Sequence, residues 1–195
     1  MNKNRSTILI VEDEGIVAKN LSAKLTDLGY EVAGIVADGE EAVALAGSLR
    51  PNLVLMDIWL KGPMDGIEAA ERIRREHDTP VIYLTAHSDS ATLARAKITD
   101  PFGYILKPFE ERQLATQIEL ALHKHRADRE SAITIEFLRL VNANTSTRQF
   151  VEAAVRFFHE KSGCEAIGIR LRDGDDYPYY EAHGFPEEFL QLENS

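Results

Sequence analysis

A chain of 195 residues has room for one well-buried domain and part of a second. Its content of 44% hydrophobic and 28% charged residues is that of a soluble globular protein, and 32 acidic against 22 basic residues give −10, which argues against a nucleic-acid partner and suits a site that collects cations. The single cysteine, Cys164, excludes an internal disulfide framework. No apolar run approaches membrane-spanning length, and the polar Met1–Ser6 leads into a strand rather than a signal-peptide core, so a cytoplasmic protein with no membrane partner is expected.

Thr7-Ile8-Leu9-Ile10-Val11 is a continuous apolar run that ends abruptly in Glu12-Asp13-Glu14-Gly15. Such a run, without polar alternation, reads as a strand covered on both faces. The three acids suit either a solvated turn at a helix N-terminus or a cation pocket, because crowded carboxylates repel unless a metal sits between them. Helical spacing follows through Ile16, Val17, Leu21, Leu25 and Leu28, closed by Gly29. Tyr30–Val36 reads as a second strand, and Gly39-Glu40-Glu41 opens a helix through Ala42, Val43, Ala46 and Leu49.

The third apolar run is Leu53-Val54-Leu55-Met56-Asp57-Ile58-Trp59-Leu60, bounded by Pro51-Asn52 and Lys61-Gly62-Pro63. One carboxylate interrupts it. Asp57 unpaired in a core would be costly. At the carboxyl end of a strand, where open α/β sheets build their sites, it is either a cap for the next loop or a functional group. A helix from Ile67 to Arg74 runs into the stop Asp78-Thr79-Pro80, and Val81–Ala86 is a fourth strand with Thr85 at its carboxyl end. A short helix is expected over about Ser90–Ile98, then a fifth strand, Phe102–Leu106, ending at Lys107-Pro108.

Five strands alternating with five helices predict an α/β fold, a doubly wound five-stranded parallel sheet with right-handed crossovers and helices on both faces. All carboxyl ends then share one edge, which gathers Glu12, Asp13, Glu14, Asp57, Thr85 and Lys107. Carboxylates there can hold a divalent cation, and Asp57 can attack phosphorus. Thr85 can donate a hydrogen bond to a phosphoryl oxygen, and Lys107 can neutralise another.

Ile8-Leu9-Ile10-Val11-Glu12-Asp13-Glu14, Leu55-Met56-Asp57, Met64-Asp65-Gly66, Thr85-Ala86 and Lys107-Pro108-Phe109 closely resemble the receiver domain of two-component response regulators. The resemblance covers about the first two-thirds of the chain, expected as residues 1–125. It implies a flavodoxin-like sheet with Asp57 phosphorylated by a cognate histidine kinase. It implies Mg2+ held by Asp13, Asp57 and the backbone carbonyl of Trp59, with Glu12 acting through a metal-bound water. Thr85 and Lys107 would bind the phosphoryl group, Tyr104 would be the switching ring, and Lys107-Pro108 would be cis. Trp59 and His87 fall at positions that, in the family, flank the route of water to the acyl phosphate. There an indole would slow hydrolysis and an imidazole would orient water; the bland alternative for His87 is a solvent-exposed loop histidine. The implied protein is a self-phosphorylating and self-dephosphorylating switch rather than a turnover enzyme. The alternative is a Mg2+-dependent phosphohydrolase working through an aspartyl phosphate, but such enzymes place a second acid two residues beyond the nucleophile, where this chain has Trp59.

From Glu110 to about Val141 a helical pattern continues without Gly or Pro, with Leu114, Ile118, Leu122, Ile133, Phe137 and Leu140 along one seam. A parallel homodimer through helix 110–141 is expected, with residues 126–143 as a helical linker; docking of the helix on its own domain is the alternative. His123 and His125 fall on different helix faces and read as solvated. Beyond Asn142–Thr147 come a helix over Phe150–Phe158, a strand over Ala166–Leu171, a turn at Asp173–Asp176 and a strand over Tyr177–Phe185. Gly163–Leu171 with Tyr177-Pro178-Tyr179-Tyr180 resembles the beginning of a GAF sensory domain. Residues 144–195 would then be a partial α+β GAF-like segment, as in the amino-terminal piece of a sensor or hybrid histidine kinase. The tail shows neither a helix-turn-helix pattern nor a basic stripe, which argues against a DNA-binding output.

Overall fold

The computed structural model describes residues 5–86, 101–143, 146–172 and 178–193, and in it the apolar runs of the first part become one sheet. Strands β1 (Thr7–Val11), β2 (Glu31–Val36), β3 (Leu53–Asp57), β4 (Val81–Thr85) and β5 (Gly103–Leu106) are all parallel, in the order β2-β1-β3-β4-β5. Helices α1 (Gly15–Asp27), α2 (Gly39–Leu49) and α3 (Gly66–His77) connect the first four strands, and α4 (Glu111–Ala143) follows β5. The helix expected over Ser90–Ile98 and the candidate His87 lie outside the described residues, so α4 is the fifth helix of the sequence pattern. Residues Met1–Ala127 and Asp128–Ser195 form two compact units. Among the described residues, no helix is long and apolar enough to cross a membrane.

Alternation explains the unbroken apolar runs, because successive strand residues point to opposite faces. Leu9, Val11, Val54, Met56 and Tyr83 pack with Ala42, Ala46 and Ile73 of α2 and α3. Ile8, Ile10, Leu53, Leu55 and Ile82 pack with Leu21 and Leu25 of α1 and with Leu114 and Ile118 of α4. Each fully buried Leu, Ile or Val contributes about 1.5–3 kcal/mol, so two such layers fix the edge on which the site is built. Asp38 starts α2 by accepting from the amides of Glu40 and Glu41, and Asp65 starts α3 in a capping box with Glu68.

Asp57 is the last residue of β3, at the expected carboxyl end, although the apolar run goes on to Leu60; its carboxylate accepts from the amide of Trp59 at 3.1 Å. Ile58 stays buried, while Trp59 is 60% exposed. Several expectations change. Ile16, counted in the apolar spacing of α1, points to solvent. Part of the expected dimer seam is unavailable, since Leu114 and Ile118 are core residues of the first unit. His125 is not solvated: it lies edge-on to Phe102 with centroids 5.5 Å apart, and its Nε2 is 3.5 Å from Asp78 Oδ1.

In the second unit, α5 (Thr147–Ser162) starts at the Ser146 cap and ends at Gly163, whose φ of 66° suits glycine. Phe137 of α4 rests on Phe150, Phe157 and Phe158. Strands β6 (Ile167–Arg170) and β7 (Tyr179–His183) pair antiparallel, and a helix absent from the sequence expectation, α6 (Glu187–Glu193), follows; the turn at Asp173–Asp176 is outside the described residues. No residue of β6 or β7 is fully buried, whereas β3 and β4 are buried throughout. A two-stranded ladder of this kind depends on the packed helix beside it. Amides of β6 and β7 are therefore expected to exchange hydrogen at clearly lower free energies than those of β1, β3 and β4. Equal protection in the two regions, measured by mass spectrometry, would count against this ordering.

Candidate functional site

The chain leaves β1 for β2 on one side and returns to β3 on the other. Open sheets bind ligands at such a reversal, outside the carboxyl ends of the strands. Glu12 follows β1 and donates its amide to Val36 O at 2.9 Å, which fixes the turn. Asp57 and Thr85 are the last residues of β3 and β4. Lys107 comes immediately after β5 and is drawn to the same edge by its amide, which donates to Thr85 O at 2.8 Å. The Lys107-Pro108 bond is cis.

Carboxylate oxygens of Glu12, Asp13 and Asp57 lie within 4.8 Å of one another. Glu12 and Asp57 are buried, at 2% and 5% exposure. Lys107 Nζ bridges two of them, 2.5 Å from Glu12 Oε2 and 2.8 Å from Asp57 Oδ2. Burial alone would push the Lys107 ammonium down, but the hydrogen bonds it donates to its two carboxylate partners outweigh it and hold the group above its ordinary value. Burial pushes Glu12 up; the bond from Lys107 opposes this without cancelling it, and the nearby Asp57 charge adds to the rise. The one enclosed ammonium is bonded to two of the three grouped carboxylates, so the pocket keeps surplus negative charge. Closely spaced hard oxygens with that surplus fit a hard divalent cation such as Mg2+.

An open pocket of about 550 Å³ lies over these groups, lined among others by Asp13, Asp57, Trp59, Lys61, Ala86 and Lys107. Thr85 is buried, and Tyr104, half-buried, lies with its ring 5.7 Å from that of Tyr83. The structure therefore brings Glu12, Asp13, Asp57, Trp59 and Lys107 to one pocket, with Thr85 at the adjoining strand end and Tyr104 further along β5.

Two contributors escape a reading of the sequence. In the sequence Lys61 reads only as a residue of a turn-forming loop, yet its Nζ lies 2.9 Å from Asp13 Oδ2, a contact that raises the lysine above its ordinary value. Gly66 donates its amide to Ile58 O at 3.1 Å, and a Cβ there would lie 1.8 Å from Asp57 O. A Lys four residues beyond Asp57 and a Gly at a helix start were visible; where they reach was not.

The sequence matches the family model described as response regulator receiver domain over residues 8–119. It is 37% identical over 156 residues to the transcriptional regulatory protein PdtaR of Mycobacterium tuberculosis, a match covering 80% of this chain and 74% of that protein. The signal receiver domain of a modulated diguanylate cyclase from Desulfovibrio desulfuricans is 42% identical with a TM-score of 0.62, covering 64% of this chain and 99% of that one. The receiver domain of a sensor histidine kinase from Pseudomonas aeruginosa, solved with a magnesium ion coordinated in its active-site cleft, is 32% identical with a TM-score of 0.56, covering 61% of this chain and 98% of that one.

Proposed function

The chain belongs to the response regulator receiver family of two-component phosphorelay signalling, and from that premise we propose that Asp57 accepts a phosphoryl group from the phosphohistidine of a partner histidine kinase. The observation that carries this is the buried Asp57 carboxylate at the end of β3, ion-paired to Lys107 and grouped with Glu12 and Asp13. A carboxylate oxygen of Asp57 bonds to phosphorus as the phosphorus–nitrogen bond breaks, and the bonding pair leaves with the imidazole nitrogen. Lys107, already on Asp57 Oδ2, moves onto a phosphoryl oxygen, and the Thr85 hydroxyl donates to another. Mg2+ held by Asp13, Asp57, the Trp59 carbonyl and, through water, Glu12 would supply the remaining positive charge against the phosphoryl oxygens. Trp59, which lines the pocket, would restrict water; the water-orienting role for His87, outside the described residues, rests on its place two residues after Thr85 in the sequence alone.

Movement of Thr85 toward the phosphoryl group frees space into which Tyr104 turns, giving two discrete states for output. We assign residues 1–125 to the receiver, 126–143 to a helical linker and 144–195 to a GAF-like segment; the helix α5 packed beside the β6–β7 pair supports the last. Homodimerisation through helix 110–141 would use the apolar residues that α4 leaves exposed, Leu120, Ile133, Ile135, Leu138 and Val141. Such a chain serves as a phosphoacceptor switch, alone or as the amino-terminal part of a sensor kinase.

Incubation of the full chain with a small phosphodonor and Mg2+ is expected to add one phosphoryl group, seen by intact mass, with none added when the metal is chelated. Sustained release of inorganic phosphate from an excess of donor, with no accumulating adduct, would instead favour the phosphohydrolase alternative.

A further inference from the structure

Glu12, Asp13 and Asp57 bring three carboxylates together and Lys107, bonded to Glu12 and Asp57, brings one enclosed ammonium, so these four groups carry two surplus negative charges when all three acids are ionised. A single divalent cation cancels both. Lys61 cancels one of them from outside: its Nζ sits 2.9 Å from Asp13 Oδ2, with the lysine side chain 83% and the aspartate side chain 9% exposed. The ion pair is thus asymmetric. Asp13 is largely withdrawn from water and needs a cation beside it, whereas Lys61 loses little hydration by being there and regains it on leaving.

The loop that carries Lys61 passes close to the start of α2. Gly62 has φ of 140°, a conformation L side chains rarely adopt, and a Cβ at that position would lie 3.0 Å from Asp38 Oδ2. Its backbone thus lies beside Asp38 at the start of α2, with Lys61 next to Asp13.

We propose that Lys61 is a built-in competitor for the divalent cation, its ammonium standing on the Asp13 carboxylate that the ion must take and so setting how much Mg2+ the site requires. The inference deepens the receiver reading and depends on it. Once the dication is bound, Lys61 has no surplus negative charge to neutralise and swings into solvent. Lys61 is a positioning residue for charge and takes no part in the chemistry at phosphorus.

The test is a Mg2+ titration of the full chain, followed by the fluorescence of Trp59, the sole tryptophan, and by calorimetry. Lys61→Gln is expected to tighten Mg2+ binding about two- to fivefold, the range of a partly exposed ion pair. Lys61→Arg should stay near wild type, and Asp13→Asn should lose the response. Because the glutamine also removes charge from the surface at large, the contact is read separately by NMR of 13Cε-labelled lysine. Saturating Mg2+ should move the Lys61 signal to the position it already has in Asp13→Asn. Unchanged or weaker Mg2+ binding in Lys61→Gln, or a Lys61 signal that ignores bound Mg2+, overturns the competition and leaves the receiver reading standing. A wild-type chain that binds no Mg2+ by either method overturns both.

Discussion

Asp57→Asn is expected to remove phosphate uptake altogether, with intact mass showing no adduct under conditions in which the wild type acquires one. The amide is nearly isosteric, so the turn to the Trp59 amide and the packing of β3 persist, but its oxygen carries no charge and does not attack phosphorus. Lys107 keeps Glu12 as a partner, which protects the variant from an unpaired buried ammonium. Lys107→Met has a different signature. It leaves Glu12 and Asp57 enclosed without their shared cation, so the carboxylates compete more strongly for Mg2+ while the phosphoryl oxygens lose a donor. Phosphorylation is then expected to slow by about a hundredfold or more, the usual effect of deleting one such donor. An adduct in Asp57→Asn forming at the wild-type rate would place the acceptor elsewhere, and a Lys107→Met rate equal to wild type would remove the lysine from the chemistry.

The sheet was legible because strands buried on both faces cannot alternate: Ile8 to Val11 and Leu53 to Met56 serve two core layers at once. Most of the candidate site was legible for a topological reason. Parallel strands present their carboxyl ends together, so Glu12, Asp57, Thr85 and Lys107 had to converge once the strands were placed. Periodicity, however, says which face of a helix is apolar and not what covers it. Leu114 and Ile118 cover the sheet, Phe137 rests on Phe150, and only the remainder is left for a partner. The apolar run outlasts β3 because Ile58 is apolar and buried yet lies in a turn set by the Asp57 side chain. The reach of Lys61 and the clearance over Gly66 depend on segments brought together by the fold, and neither has a local signal.

Gly66→Ala is the second change with a large expected effect, because two principles give it opposite signs. Helix propensity favours alanine over glycine by up to about 1 kcal/mol, which predicts a more stable α3. The geometry predicts the reverse. An added Cβ would meet Asp57 O at 1.8 Å and Asp57 C at 2.9 Å, and these are backbone atoms that cannot rotate aside. Either the first turn of α3 swings away, breaking the bond from Gly66 N to Ile58 O, or the end of β3 shifts and carries the Asp57 carboxylate with it. Steric overlap of this kind costs about 1–3 kcal/mol even after relaxation. The net expectation is a loss of stability together with a phosphorylation rate reduced tenfold or more, since the nucleophile is displaced. Gly15→Ala is the control: it also lies at a helix start, nothing approaches within 4 Å of its added Cβ, and its stability should hold or rise. Denaturant unfolding followed through Trp59, which reports on the first unit, measures both variants. If Gly66→Ala matches Gly15→Ala in stability and keeps the wild-type rate, the close approach of α3 to the Asp57 carbonyl does not hold the phosphoacceptor in place.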